Sequence, residues 1–213
     1  MGRKGGVADD QSVFARKSVG LRHKMVKFLA PKLYSSYQSY YEKVAETPRP
    51  MTLFMKNHFA GKALVGAEIG VSTGTNALSI LKELSLQRLY LIDPYAPFLS
   101  FGELDSHATD GETARKNLSS CKQVTFIEKT STEAAEELPI LDFVYIDGNH
   151  DYEHVKEDAE TYYPKVRAGG MIGGHDFMPL CFGLVDAVIE FFSAHPLDDK
   201  RIVMPDWWLT KKR

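Results

Sequence analysis

Glu68-Ile69-Gly70-Val71-Ser72-Thr73-Gly74-Thr75-Asn76 decides the fold of this 213-residue chain. The stretch closes an apolar strand and opens a helix through a turn that carries two glycines. Glycine at 70 and 74 lets the backbone approach a ligand where a Cβ would collide. The helix that follows offers N–H groups with no partner inside the helix. Leu89-Tyr90-Leu91-Ile92-Asp93 then reads as a second strand ending in a carboxylate about twenty residues on, the position that reaches ribose hydroxyls in doubly wound folds. Together these features point to a nucleotide-type ligand. It is not a dinucleotide of the usual kind, because after Gly70-Val71 it is Ser72 that stands where G-x-G-x-x-G needs its second glycine. A phosphate-binding Gly-Lys-Ser/Thr is absent as well.

Outward from this turn the texture is regular. Strands are expected at Ala63–Ile69, Arg88–Ile92, Val124–Ile127, Leu141–Ile146 and Gly170–Ile172. Helices are expected at Asn76–Leu84, Glu112–Leu118, Thr132–Leu138, Tyr152–Tyr163 and Leu184–Ala194. The strands are apolar on successive residues, as in Phe143-Val144-Tyr145-Ile146, which marks strands covered on both faces. Alternating strands and helices predict an α/β, doubly wound and mostly parallel sheet. Arg201–Met204 and Trp207–Lys211, joined by Pro205-Asp206 with no helix between them, should pair antiparallel at one edge. The segment Pro94–Asp110 reads as a loop broken by proline and glycine.

Composition narrows the class. The chain is 44% hydrophobic and 25% charged, which excludes wholesale disorder. Cys121 and Cys181 form no C-x-x-C, so neither a zinc ribbon nor a disulfide scaffold is indicated. No apolar run approaches a membrane span, and the N-terminus lacks a secretory apolar region, so a cytoplasmic location is expected. Residues 1–50 carry ten Lys/Arg against four Asp/Glu, whereas the remainder carries sixteen against twenty-four. A basic leader could contact nucleic acid, but the interleaved Val13, Phe14, Leu21, Met25, Phe28 and Leu29 read as the core stripe of an amphipathic helix. Residues 1–60 are accordingly taken as a helical appendage and 61–213 as the ligand-binding domain. A homodimer through the leader is a reasonable expectation; nucleic acid is not the expected partner.

The E-x-G-x-x-x-G form of the turn resembles that of class I S-adenosylmethionine-dependent methyltransferases. The likeness extends along the chain to the branch that holds macrocin O-methyltransferase and cephalosporin hydroxylase-like proteins. Leu141-Asp-Phe-Val-Tyr-Ile-Asp147-Gly148-Asn149-His150-Asp-Tyr152, then Val155 and Asp158, then Ala168-Gly-Gly-Met-Ile-Gly-Gly-His175-Asp176 is its most specific series. The resemblance implies a seven-stranded sheet with the last strand antiparallel. It also implies S-adenosylmethionine as cofactor and methyl transfer to the hydroxyl oxygen of a small, possibly glycosyl, acceptor. Carried over by position, Glu68, Gly70, Ser72, Gly74 and Asn76 hold the methionine part and Asp93 the ribose. Thr130 and Ser131 flank the adenine, and Asp147 borders the same site.

Asp147 ends the fourth strand, and His175 with Asp176 follows the fifth. Two carboxylates and an imidazole at one sheet edge can hold one divalent metal ion, magnesium or manganese. The histidine departs from an all-oxygen set and shifts preference toward manganese, iron or zinc. Alternatively, His150 and His175 are general bases for the acceptor hydroxyl. Two other functions remain: a cofactor-binding protein without transferase activity, and a metallophosphoesterase. The latter is suggested by Gly148-Asn149-His150-Asp151 and Asp105-Ser106-His107, although its GD-x-x-D element is missing.

Overall fold

The computed structural model describes residues 48–100, 103–105 and 109–213, together with positions 25, 26, 28–32, 35, 36, 39 and 40. Its elements run α1 (Pro50–His58), β1 (Leu64–Ile69), α2 (Thr75–Glu83), β2 (Leu86–Ile92), β3 (Phe98–Ser100), β4 (Glu103–Asp105), α3 (Asp110–Asn117) and β5 (Val124–Ile127). They continue with α4 (Ser131–Ala135), β6 (Leu141–Ile146), α5 (Tyr152–Tyr162), β7 (Val166–Gly174), α6 (Phe182–Ala194), β8 (Asp199–Val203) and β9 (Asp206–Thr210).

Seven strands form one sheet in the order β5-β2-β1-β6-β7-β9-β8. The first five are parallel to one another, while β9 runs antiparallel to both β7 and β8. The doubly wound sheet and its antiparallel terminal pair are as the sequence predicts. Successive residues of β6 face opposite layers: Val144 and Ile146 pack with α5 and α6, and Phe143 and Tyr145 with α1 and α2. All four are buried, which is why the strand reads as an unbroken apolar run. Trp207 and Trp208 divide between the two layers in the same way.

Three expectations need correction. The fifth parallel strand is longer than Gly170–Ile172, because its flanking glycines carry no hydrophobic signal. They are required by contact instead: a Cβ on Gly173 would lie 2.2 Å from the Trp207 carbonyl oxygen, and one on Gly174 2.0 Å from that of Ile146. The segment Pro94–Asp110 is not all loop, since β3 and β4 pair as an antiparallel hairpin within it. The leader stripe is not core where it is described. Met25, Phe28 and Leu29 are 48%, 83% and 68% exposed, and Val13, Phe14 and Leu21 lie outside the described residues. By contrast α1, which falls within the expected appendage, buries Met51 and Met55 completely against the sheet. Among the described residues no helix is long and apolar enough to cross a membrane.

Candidate active site

Strand register brings the sequence's candidates to one edge. Ile69 pairs with Ile92 on one side and Ile146 on the other, and Ile146 pairs with Gly174. The ladder continues one residue further: Gly70 N donates to Ile92 O at 2.9 Å, Asp147 N to Ile69 O at 2.7 Å, and His175 N to Ile146 O at 3.1 Å. Gly70, Asp93, Asp147 and His175 therefore stand side by side just beyond the carboxyl ends of four adjacent strands, where open α/β sheets build their sites.

The glycines work differently from the expectation. Gly70 has φ +80°, and a Cβ there would meet the Asp147 carbonyl oxygen at 2.2 Å. Gly74, at φ +79°, caps α2 and lies under Leu118 and Ala114. The space a side chain would need is filled by the protein itself, so these glycines join strand to strand and helix to helix. Asp93 shapes the turn between them. Its Oδ2 accepts from Val71 N at 2.9 Å and Ser72 N at 3.0 Å, and its Oδ1 from Tyr95 N at 2.8 Å. An ionised carboxylate has about four acceptor positions, so one is left for a ligand hydroxyl. The Ser72 hydroxyl donates to Asp110 at 2.8 Å.

Glu68 is fully buried in β1, with Oε1 accepting from Asn76 Nδ2 at 2.9 Å. Its Oε2 and the Asn76 Oδ1 have no hydrogen-bond partner among the described residues. Burial raises the Glu68 pKa from 4.5 to about 8, assisted by Asp147 and opposed by Asn76. A ligand ammonium would satisfy both orphaned acceptors and favour the ionised acid. The folded pKa lies above the unfolded one, so this group's contribution to stability is complete below about 4.5 and is lost as pH rises through about 8. Glu68→Gln copies the protonated acid. The variant should match wild type near pH 4 and exceed it near pH 9 by roughly 2–4 kcal/mol. Urea melts at the two pH values check this; a variant less stable than wild type at the higher pH contradicts it.

Thr130 and Ser131 follow β5 at the start of α4. The Thr130 side chain forms a capping box with Glu133, so its hydroxyl serves its own helix. Ser131 is tied to α5: its carbonyl accepts from Tyr162 at 2.7 Å, and its side chain hydrogen-bonds Asp158. Burial pushes the Asp158 carboxyl up to about 7, with Ser131 acting in the opposite direction. In the Gly-Asn-His-Asp stretch, Asn149 Oδ1 accepts from Asp151 N at 2.9 Å, an Asx turn that leads into α5. His107 lies outside the described residues.

One ligand atom from each of Asp147, His175 and Asp176 lies within 4.8 Å of the others, the convergence expected of a cation site. Each of these residues is already in an ion pair or close to one. Arg49 donates to Asp147 Oδ2 at 2.6 Å, His150 Nε2 is 2.7 Å from Asp176 Oδ2, and His175 Nδ1 is 2.9 Å from Asp176 Oδ1. Burial disfavours a charged His150, but Asp176 outweighs it and raises the ring's pKa to about 9. Burial likewise works against the Asp176 carboxylate, yet His150 and His175 hold it well below the usual range. As folded, the donor set does not fit a bound divalent ion, because both carboxylates already bond to groups of the chain.

Sequence reasoning missed Arg49, Tyr145 and Asp206. Buried Asp206 accepts from Met51 N at 2.8 Å and from the Tyr145 hydroxyl at 2.9 Å. Arg49 lies over the Tyr145 ring, 5.6 Å from its centroid. The available signal was Pro48-Arg49-Pro50, since a residue before proline is held extended. Arg49 has φ −74° and ψ 156°.

A family model described as a methyltransferase domain matches residues 67–177. Among solved structures, the O-methyltransferase NovP is similar at TM-score 0.56 and 19% identity, over 76% of this chain and 80% of that one. Precorrin-6y C5,15-methyltransferase from Geobacter metallireducens gives 0.57 and 14%, over 79% and 90%. MycE of the mycinamycin pathway, in complex with Mg and SAH, gives 0.51 and 17%, over 79% and 51%. At these identities the likeness is one of fold. No curated protein matches the chain.

Proposed function

Because the chain belongs to the methyltransferase-domain family, as a class I S-adenosylmethionine-dependent methyltransferase, we propose that it methylates a hydroxyl oxygen of a small molecule. The observation that carries this reading is the adjacency, along one sheet edge, of a turn suited to the cofactor and a carboxylate–imidazole cluster suited to a hydroxyl proton. Glu68 and Asn76 offer buried, unpartnered acceptors for the cofactor's ammonium. Asp93 keeps one acceptor position for a ribose hydroxyl. Ser72, Gly70 and Gly74 shape the turn between them, and Thr130, Ser131 and Asp147 border the adenine side. When bound there, S-adenosylmethionine supplies an electrophilic methyl group on its sulfonium.

His175 takes the acceptor's hydroxyl proton in this scheme. Its Nδ1 lies 2.9 Å from Asp176 Oδ1, and a proton held on that nitrogen leaves Nε2 as the basic one. His150, on the other oxygen of Asp176, orients that carboxylate. With the cofactor bound, transfer of its methyl to the acceptor oxygen would leave a methyl ether and S-adenosylhomocysteine, with the acceptor's proton on His175. No step passes through a metal ion, because both carboxylates already bond to groups of the chain. The exposed Met25, Phe28 and Leu29 support a homodimer through the leader.

Turnover is to be followed by mass spectrometry of methylated product across a panel of small hydroxylated acceptors. His175→Ala should lower the rate by about 10²–10⁴-fold while S-adenosylhomocysteine affinity holds. EDTA should leave turnover undiminished. Activity lost in EDTA and restored by one divalent ion, or full activity in His175→Ala, would overturn the assignment.

A further inference from the structure

We infer that Arg49 is a built-in cation for the Asp147 carboxylate, occupying one arm of the cluster that Asp147, His175 and Asp176 would otherwise offer to a divalent ion. The inference rests on the methyltransferase reading for its catalytic meaning, but its geometry stands alone. The guanidinium Nη1 donates to Asp147 Oδ2 at 2.6 Å. A cation bound in the cluster would need that oxygen or its partner Oδ1, which lies 3.9 Å from His175 Nδ1. The second carboxylate is paired as well, with one oxygen of Asp176 2.7 Å from His150 Nε2 and the other 2.9 Å from His175 Nδ1.

Arg49 is held in place from several sides. Its side chain is only 12% exposed. Pro50 follows it at the head of α1 and keeps its backbone extended. The next residue, Met51, donates its N–H to buried Asp206, which also takes the Tyr145 hydroxyl. Tyr145 in turn lies beneath the guanidinium. Asp206, Tyr145, Arg49 and Asp147 thus form a continuous brace from β9 through β6 to the site. An arginine fixed this way keeps its charge at every physiological pH. Its buried Nε–H has no hydrogen-bond partner among the described residues, so hydrogen-bonding capacity remains beside Asp147. Arg49 is therefore a positioning residue: it fixes the Asp147 carboxylate and supplies the positive charge without a metal.

The test is a Mn²⁺ titration of the full chain, read by electron paramagnetic resonance, with no substrate present. Wild type should show no site tighter than about 1 mM, whereas Arg49→Gln should bind one Mn²⁺ at least about tenfold more tightly. Arg49→Lys keeps the charge and should behave as wild type. A merely structural role would weaken ion binding in the glutamine variant, never strengthen it. Should Arg49→Gln fail to fold, wild type and Arg49→Lys decide. One Mn²⁺ held by wild type below about 10 µM overturns the inference, as does a glutamine variant no tighter than wild type. S-adenosylhomocysteine calorimetry on the same samples separates the two readings. Its failure to bind would remove the methyltransferase assignment and leave the manganese result standing.

Discussion

Gly70→Ala should cost about 3–5 kcal/mol of stability. Two effects add. An alanine at φ +80° sits in the left-handed region, which costs roughly 1–2 kcal/mol. Its Cβ would also lie 2.2 Å from the Asp147 oxygen, 2.5 Å from the Asp147 carbonyl carbon and 2.6 Å from the Gly148 Cα. All three are backbone atoms, so no side chain can swing aside. The ends of β1 and β6 would have to part, which breaks the 2.7 Å bond from Asp147 N to Ile69 O. Gly74→Ala is the control. It carries a similar φ, but its nearest contact is the flexible Leu118 Cδ1 at 2.9 Å. Thermal melts should show a fall of roughly 10 °C for Gly70→Ala and a clearly smaller one for Gly74→Ala. Equal losses would mean that the strand ends are not locked as described.

The same edge shows what could be read from the chain and what could not. β1 and β6 were legible because burial on both faces leaves successive apolar residues, and that pattern survives without any knowledge of partners. β7 was legible only at its centre, since Gly173 and Gly174 are demanded by the backbone of β9 and β6, a requirement that writes no hydrophobic pattern. Asp93, Asp147 and His175 could be proposed as neighbours because each ends a parallel strand, and register alone then aligns them. The partner of Asp147 could not be found this way. Arg49 lies 98 positions earlier in the chain, and Asp206 lies 61 positions after Tyr145. Only the tertiary fold joins them. Thr130 illustrates the reverse: the sequence offers a polar residue at the expected place, but a helix start needs the same hydroxyl for its cap.

Asp93→Ala should reduce S-adenosylhomocysteine affinity by about 100-fold and lower stability by roughly 2–3 kcal/mol. The two effects share a cause. Among the described residues, the carboxylate is the acceptor for the Val71, Ser72 and Tyr95 N–H groups. Alanine leaves all three unpaired in a half-buried turn, and water can replace the lost acceptor only in part. The turn would loosen, and with it the alignment of Ser72, whose φ of +47° is a conformation few side chains adopt without support. A ligand hydroxyl would lose its acceptor at the same time, so affinity should fall further than stability alone explains. Asp93→Asn separates the contributions. One amide oxygen can serve either Val71 and Ser72 or Tyr95, while the NH₂ opposes the remaining donor. Its affinity should therefore lie between those of alanine and wild type. Calorimetry on the three proteins at one pH reads the series directly. Wild-type affinity in Asp93→Ala would show that the carboxylate serves the turn alone, and that the cofactor's ribose is held elsewhere along the edge.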